Sequence, residues 1–210
     1  MLVTLVASSK GGCGKSTVVT QLAAAWSQAG QRTVIVDADR QGSSFRWAER
    51  RPENLPGVQA FEGARKALQR VPEDAQQLLI DTPAGSGERE LEPFLDRASV
   101  LLVPVLPSRF DLDATLRFLD ELKTIARIRN GRLPVALVAN RLKPWTNASQ
   151  AAVDELAAAA PFPIAARLRD SQAYVLLTAL GKGIFDYQSE QVRGHQQDWK
   201  PLLRWIKRQA

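Results

Sequence analysis

Residues 10–17 read Lys10-Gly11-Gly12-Cys13-Gly14-Lys15-Ser16-Thr17. They nearly match the phosphate-binding loop pattern, which is Gly, four residues, then Gly-Lys-Ser/Thr. Ser9 stands where the first glycine is expected, and an additional lysine, Lys10, follows it. The loop follows an apolar stretch, Leu2–Ala7, and precedes an amphipathic helix pattern. Because backbone N–H groups at such a helix start form an anion site, the stretch predicts a phosphate-binding loop at the first strand-to-helix turn.

The polar side chains of this loop have distinct predicted partners. Lys15 is expected to reach the β- and γ-phosphates, Ser16 to place its hydroxyl on Mg²⁺, and Thr17 to contact the next phosphate. The remaining loop residues are expected to bind through their backbone: Gly11, Gly12, Cys13 and Gly14. A redox role for the Cys13 thiol is therefore not expected.

Short, continuous apolar runs alternate with helical patterns along the chain. The runs are Leu2–Ala7, Thr33–Val36, Leu78–Ile80, Val100–Val105 and Val135–Ala139. The helical patterns include one that ends near Gly30, one with apolar residues from Leu116 to Ala126, one over Ala151–Ala160 and a terminal one over Trp199–Arg208. Such alternation is typical of a parallel sheet covered on both faces. We therefore predict an α/β P-loop NTPase fold, with a mostly parallel twisted sheet and helices on both faces, as one domain over residues 1–210.

Carboxylates follow two of the predicted strands. Asp81 ends the run that begins at Leu78, and Asp37 and Asp39 follow the run that begins at Thr33. An aspartate at the end of a strand in such a fold binds magnesium through water, and the turn Thr82–Gly85 is placed to sense a γ-phosphate. Because the carboxyl ends of parallel strands meet at one edge, these groups are expected to lie together beside the loop.

The composition limits the class of protein. The chain of 210 residues has a single cysteine, which excludes an internal disulfide or a multi-thiolate metal site within one chain. No apolar run approaches the length that crosses a bilayer, and the N-terminus resembles a first strand rather than a signal peptide, so we expect a cytoplasmic protein. The net charge of +6 is compatible with an anionic partner such as nucleic acid or with simple solvation of the surface.

Three motifs together resemble those of the ParA/MinD ATPases. They are the deviant Walker A motif at residues 10–17, the A′ motif at Asp37–Ser43 and the Walker B motif at Asp81–Gly85. The resemblance continues through Pro104–Asp111 and Ile164–Tyr187, where it is closest to the short, ParF-like partition proteins. The chain differs from the family at Arg40, where proline is common, and in having no N-terminal helix-turn-helix extension, so operator-specific repression is not expected.

The resemblance implies a function for the second lysine. In this family the signature lysine crosses a dimer interface, so Lys10 is expected to contact the nucleotide of the partner subunit while Lys15 acts within its own subunit. Asp39 is expected to orient the attacking water and Asp37 to support magnesium and the loop, although these two roles are interchangeable. Asn140 at a strand end either contacts adenine or simply turns the chain. The cofactors implied are ATP and Mg²⁺, and the partners are a second copy, DNA bound without sequence preference and a ParB-like or cargo adaptor.

Two basic segments are candidates for the DNA surface of a nucleoid-associated protein. One carries Arg127 and Arg129, and the other, in the tail, carries Arg204, Lys207 and Arg208. The tail also fits a basic amphipathic membrane anchor of the MinD type, although its apolar residues equally fit a helix that packs on the core. A third class is a metabolic P-loop enzyme, either a ligase or a nitrogenase-type reductase.

Other aromatic and titratable residues carry no predicted chemistry. His195, the single histidine, is expected to be a surface residue rather than a base. Trp145, Trp199 and Trp205 are expected to serve in packing.

Overall fold

The computed structural model describes residues 1–106 and 108–209. Part of the segment Pro104–Asp111, which contributes to the family resemblance, therefore lies outside the described residues. The strands are β1 (Leu2–Val6), β2 (Thr33–Asp37), β3 (Gln59–Glu62), β4 (Gln77–Asp81), β5 (Val100–Val105), β6 (Val135–Leu142) and β7 (Ile164–Arg169). Within the described residues they form one seven-stranded sheet in the order β3-β2-β4-β1-β5-β6-β7, and each neighbouring pair is parallel.

Helices cover both faces of this sheet. They are α1 (Lys15–Gln28), α2 (Ser43–Glu49), α3 (Arg65–Leu68), α4 (Glu88–Leu95), α5 (Arg109–Thr124), α6 (Ala126–Arg129), α7 (Asn147–Ala159), α8 (Gln172–Ala179) and α9 (Glu190–Lys207), with a 3₁₀ turn at Ile184–Asp186. One apolar core lies under α3 to α7, a second lies under α1, α2, α8 and α9, and a small third cluster joins the end of β6 to α7. The predicted fold class, a parallel sheet with helices on both faces, is confirmed.

Burial on both faces explains why the central strands read as continuous apolar runs. All five residues of β1 are buried, as are all five of β4 and all six of β5. A strand covered on both sides has no solvent face that would select alternating polar residues. The five predicted strands are confirmed with small changes at their ends, of which the largest is the extension of β6 to Leu142.

Two strands, β3 and β7, were not predicted from the sequence, and one predicted helix is split. Of the four residues of the edge strand β3, only Phe61 is buried, so no apolar run marks it. β7 carries Arg167 and Arg169, which interrupt its apolar pattern. Ile125 has an extended backbone, with φ −63° and ψ 121°, which separates α5 from α6.

A buried ion pair joins α2 to the segment before α9. Arg51, just after α2, donates to Asp186 from two guanidinium nitrogens at 2.8 and 2.9 Å, and both side chains are almost fully buried. The Arg51 guanidinium also lies 5.2 Å from the ring centre of Trp47, whose indole Nε1 donates to the Lys182 carbonyl at 3.1 Å. These contacts fix α2, which follows the A′ motif, to the C-terminal part of the chain.

Candidate functional site

The loop between β1 and α1 has the geometry of a phosphate cradle. Gly14 has φ 93°, and a Cβ at this position would lie 2.2 Å from Nδ2 of Asn140. Only glycine fits such a left-handed backbone and so close an approach without displacing its neighbour. Asn140 Nδ2 donates to the Cys13 carbonyl at 2.8 Å and so ties the loop to the end of β6.

The two lysines of the loop have different environments. Lys15 is the first residue of α1 and is only 7% exposed. The backbone N–H groups of this first helical turn have no intrahelical acceptor, which makes the turn an anion site. Ser16 and Thr17 are half-buried beside Lys15, whereas Lys10 lies in an exposed stretch that runs to Gly12. The loop therefore has one buried lysine at its base and one exposed lysine at its rim.

The two strand-end carboxylates lie side by side. Asp37 on β2 and Asp81 on β4 are register partners, and Asp81 is also paired in register with Val6 at the end of β1. Both aspartates are essentially inaccessible to solvent. The predicted meeting of acidic groups at one sheet edge is therefore present in the structure.

Asp37 is fully engaged by the start of α2. Its Oδ2 accepts hydrogen bonds from Ser44 N at 2.9 Å, Ser44 Oγ at 2.8 Å and Phe45 N at 2.9 Å, while its Oδ1 accepts from Asp39 N at 3.1 Å. A carboxylate at a helix N-terminus satisfies N–H groups that lack intrahelical partners. Asp37 thus holds the A′ loop and α2 in place. Asp39 is half-exposed, and its Oδ1 accepts from Gln41 N at 2.9 Å.

Asp81 has the opposite character. Both of its carboxylate oxygens are buried and form no hydrogen bond with the described part of the chain. Burial, and then the neighbouring Asp37 carboxylate, raise the pKa of Asp81 from 3.8 to about 7. The nearby hydroxyls of Ser16 and Ser44 and the Lys15 ammonium act on this pKa in the opposite direction. Because burial outweighs these favourable neighbours, Asp81 is a carboxylate that a cation would stabilise.

These residues fit a magnesium ion that is held jointly with a nucleotide. The described residues contain no cluster of three or more His, Cys, Asp or Glu side chains that could hold a metal by themselves. Mg²⁺ in such sites keeps several waters and binds one or two protein oxygens together with substrate phosphates. Among the described residues, Ser16 and the buried Asp81 provide such oxygens beside the loop.

An open cavity of about 440 Å³ lies beside the phosphate loop, where Thr17 lines it. Thr17 and Asn140 line one wall, and the opposite wall is formed by the turn after β7 and by α8. Arg141, which follows Asn140, has a left-handed backbone with φ 54° and donates from its backbone N to Asn140 Oδ1 at 2.9 Å. The cavity thus adjoins the phosphate loop, and its lining includes Asn140, for which the sequence predicts either a contact with adenine or a turn of the chain.

Only one wall of this cavity contains residues that were predicted from the sequence to bind nucleotide. Asn140 was predicted, and its amide is held by Cys13 and Arg141. The opposite wall includes Asp170, Ser171, Gln172, Tyr174 and Thr178, none of which was predicted. Ser171 caps α8 by accepting from Ala173 N at 3.2 Å, and this cap was the local signal that a helix starts there.

Comparison with known proteins agrees with this geometry. Residues 4–182 match the family described as CobQ/CobB/MinD/ParA nucleotide binding domain. The chain belongs to this family. The ParA/MinD resemblance drawn from the three motifs is thereby confirmed, and the match covers the phosphate loop and the residues that line the cavity.

Individual relatives differ in what they do. Maintenance of carboxysome distribution protein A of Halothiobacillus neapolitanus is 32% identical over 171 residues, which are 72% of this chain and 73% of the relative. A chain of the MinC:MinD cell division protein complex of Aquifex aeolicus superposes with a TM-score of 0.76 at 16% identity, covering 100% of this chain and 97% of that one. Cobyrinic acid a,c-diamide synthase from Mycobacterium smegmatis, with bound ATP analog and magnesium, superposes with a TM-score of 0.70 at 20% identity, covering 85% of this chain and 93% of that one. The predicted cofactors, ATP and Mg²⁺, are consistent with these ligands.

The residues predicted for DNA binding in this ParA/MinD-type chain are not equally available. Arg129, Arg204, Lys207 and Arg208 are exposed. Arg127 is half-buried, and its guanidinium donates to the carbonyl of Leu95 at the end of α4. A cation at a helix C-terminus satisfies a carbonyl that has no intrahelical donor, so Arg127 has a structural partner that the sequence did not reveal.

The apolar face of the tail packs on the protein core. Trp199, Leu202 and Ile206 on α9 are completely buried against the sheet. In this arrangement they are not available to insert into a lipid surface, which favours the core-packed interpretation of the tail over the amphipathic anchor. Among the described residues, no helix has the length and apolar character needed to span a bilayer.

Two of the three tryptophan predictions fit, and one does not. Trp199 is buried and Trp205 is half-buried against the same core. Trp145 is 73% exposed in the turn between β6 and α7, so its predicted packing role is wrong. His195 is half-buried rather than freely exposed, because it contacts the cap of α8.

Proposed function

We propose that this protein is an ATP-driven dimerisation switch that positions a cargo on DNA. ATP-bound dimers bind DNA without sequence preference, and an adaptor on the cargo stimulates slow, Mg²⁺-dependent hydrolysis, which releases the dimer from DNA. The observation that carries this proposal is the pair of lysines in one loop. Lys15 is buried at the helix start, whereas Lys10 is exposed at the rim, where a second subunit can approach.

The division of roles follows from these environments. Lys15 neutralises phosphate charge within its own subunit, and Lys10 supplies a second cation to the nucleotide of the partner subunit. A cation that reaches the phosphates only in the closed dimer makes association depend on the γ-phosphate. Bound ATP thereby stabilises the dimer, and hydrolysis weakens it.

The remaining site residues serve hydrolysis. Ser16 and Asp81 hold Mg²⁺, which when bound stabilises the charge that develops on the transferred phosphoryl group. Asp39 is half-exposed at the same edge and orients the attacking water. Asp37 keeps the A′ loop and α2 in position through its four hydrogen bonds.

Charge supports the DNA part of the proposal. The chain has a net charge of +6, and four of the five predicted DNA contacts are exposed cations on α6 and at the end of α9. Dimerisation doubles these contacts on one assembly. Because each neutralised phosphate releases counterions, the affinity for DNA rises steeply on dimerisation and falls steeply with salt.

The relative from Halothiobacillus neapolitanus, by its name, maintains carboxysome distribution. A protein assembly is therefore one candidate cargo for this chain, beside a plasmid or a chromosome origin. The adaptor is the partner that distinguishes these cargoes.

Dimerisation is tested by sizing chromatography with ATP, ADP and no nucleotide. Wild type is expected to dimerise only with ATP, and Lys10→Ala to bind ATP while remaining a monomer. Lys66→Ala, which removes an exposed lysine on α3 instead, serves as the matched control and should dimerise normally. An unchanged ATP-dependent dimer of Lys10→Ala would refute the exchange of lysines between subunits.

DNA binding is tested by fluorescence anisotropy of a random duplex in the same three nucleotide states at two salt concentrations. We expect ATP-dependent binding that weakens with salt and with charge reversal at Arg204, Lys207 and Arg208. Equal binding in all three states would remove the switch from the mechanism. ATP turnover without any small-molecule acceptor separates the switch from ligase chemistry.

A further inference from the structure

The helix α9 contacts one wall of the 440 Å³ cavity beside the phosphate loop, namely the wall formed by α8 and the turn before it. His195 Nε2 lies 2.9 Å from Ser171 Oγ, and His195 Nδ1 lies 3.3 Å from the Gln191 carbonyl. A carbonyl oxygen only accepts, which places the ring proton on Nδ1 and leaves Nε2 to accept from the Ser171 hydroxyl. Ser171 Oγ, which lines the cavity, is thereby held between His195 and the backbone N of Ala173.

A second contact fixes the aromatic part of the same wall. The indole Nε1 of Trp199, which is completely buried, donates to the hydroxyl of Tyr174 at 3.0 Å. The Tyr174 ring makes edge-to-face contacts with His195 and Trp199, with ring centres 6.0 and 6.3 Å apart. Burial raises the pKa of Tyr174 to about 12, so its hydroxyl is neutral and is able to accept this hydrogen bond.

An ion pair anchors α9 at the end of β7. The Arg169 guanidinium donates to both carboxylate oxygens of Asp198, at 2.6 and 2.8 Å, and also to the Gly194 carbonyl at 3.2 Å. Arg169 directly precedes Asp170 and Ser171 on the cavity wall. The eight-residue helix α8 is too short to be stable by itself, so its position depends on such external contacts.

We propose that His195 and Trp199 are positioning residues for the nucleotide base, acting through Ser171 and Tyr174. They touch no nucleotide themselves and set the shape of the wall against which the base packs. The proposal rests on nucleotide binding at this site, and it requires neither DNA binding nor dimerisation. The proposal predicts a selective effect. When the α9 contacts are removed, the affinity for ATP falls, whereas the affinity for the phosphate chain alone does not.

The test compares two ligands that share the phosphate chain. Calorimetric titration with Mg·ATP and with Mg·tripolyphosphate is carried out on wild type, His195→Ala and Trp199→Phe. Each variant is expected to bind ATP about tenfold more weakly, as one hydrogen bond to the wall is lost. Tripolyphosphate affinity should change less than twofold, because Lys15 and the loop are untouched. Trp205→Phe is the matched control on the same helix and should leave both affinities unchanged.

Three results would overturn the proposal. Unchanged ATP affinity in both variants would show that the wall needs no support from α9. Equal weakening for both ligands would indicate a general loss of structure rather than positioning. A wild type that binds ATP no more tightly than tripolyphosphate would show that the base is not held at all. If Trp199→Phe unfolds, Tyr174→Phe removes the same hydrogen bond and must show the same selective loss.

This experiment is independent of the switch. A protein that never dimerises or binds DNA still gives a decisive comparison of the two ligands. Conversely, failure of the α9 proposal leaves the exchange of Lys10 between subunits untouched.

Discussion

Replacement of Asp81 by asparagine should make the nucleotide-free protein more stable while destroying its magnesium-dependent activity. Asp81 is buried, and its two oxygens have no hydrogen-bond partner within the described chain. At about 1.4 kcal/mol per pKa unit, raising the pKa from 3.8 to about 7 costs the folded state about 4 kcal/mol once the group is ionised. An asparagine amide at this position is as buried and unpaired as the protonated carboxyl, so the penalties of these two neutral side chains, each about 1 to 3 kcal/mol, largely cancel. The net gain expected for Asp81→Asn at pH 8 is therefore close to the charge penalty, about 3 to 4 kcal/mol.

The sign of the pH dependence follows from the raised pKa. Below its unfolded pKa, Asp81 is protonated in both the folded and unfolded states and carries no charge penalty. As the pH rises from 3.8 through about 7, the free energy of unfolding falls, and above about 7 the folded state carries the full penalty of the ionised carboxylate. The difference in free energy of unfolding between Asp81→Asn and wild type should therefore shrink by about 2 to 3 kcal/mol between pH 8 and pH 5.

The assay is urea unfolding in buffer with EDTA and no nucleotide, at pH 8 and at pH 5. Asp39→Asn is the matched control, because Asp39 is a half-exposed carboxylate at the same edge, and its stability should change by less than about 0.5 kcal/mol. Mg·ATP should stabilise wild type more than Asp81→Asn. Two results would contradict this reasoning: Asp81→Asn is no more stable than wild type at pH 8, or the difference in their free energies of unfolding does not change with pH. Either result would show that the buried carboxylate carries no uncompensated charge.

Three other substitutions probe different parts of the structure. Lys15→Ala should abolish ATP binding in calorimetry, because the loop loses its buried cation against several phosphate charges, and near-wild-type affinity would show that the loop is misassigned. Asp39→Ala should retain ATP and accumulate the dimer, since water is no longer oriented while the nucleotide stays bound; a protein that elutes only as a monomer with ATP would contradict this role. Arg51→Ala should lower the free energy of unfolding by about 3 to 5 kcal/mol, because Asp186 is left as a buried charge without its cation. A loss below about 1 kcal/mol in urea unfolding would show that this ion pair contributes little to stability.

The centre of the fold was predictable because its sequence signals are local. β1, β4 and β5 are buried on both faces, so each appears as an uninterrupted apolar run. The loop that ends in Lys15 has fixed spacing, and Asp81 directly follows such a run. These features need only a few neighbouring residues to be recognised, and the parallel sheet then brings them to one edge.

The cavity wall was not predictable for the opposite reason. β7 carries two arginines, and the contact between His195 and Ser171 joins residues 24 positions apart in sequence. Whether a histidine contacts solvent or a helix cap depends on how α9 packs, which no local pattern shows. The same holds for Arg127, whose partner at Leu95 lies on another helix, and for Trp145, which a turn leaves exposed.

The position of β1 in the sheet has a consequence for how the chain folds during synthesis. Of the seven strands, β1 is made first, yet within the described residues its sheet partners are β4 and β5, which begin at Gln77 and Val100. The backbone N–H and C=O groups of this apolar strand therefore have no strand partner until β4, which ends at residue 81 of 210, has left the ribosome. Such non-local pairing is slow and exposes strand edges to aggregation. The phosphate loop consequently forms late although it is encoded early, and a nascent chain that stalls before residue 77 presents an unpaired apolar strand suited to capture by chaperones.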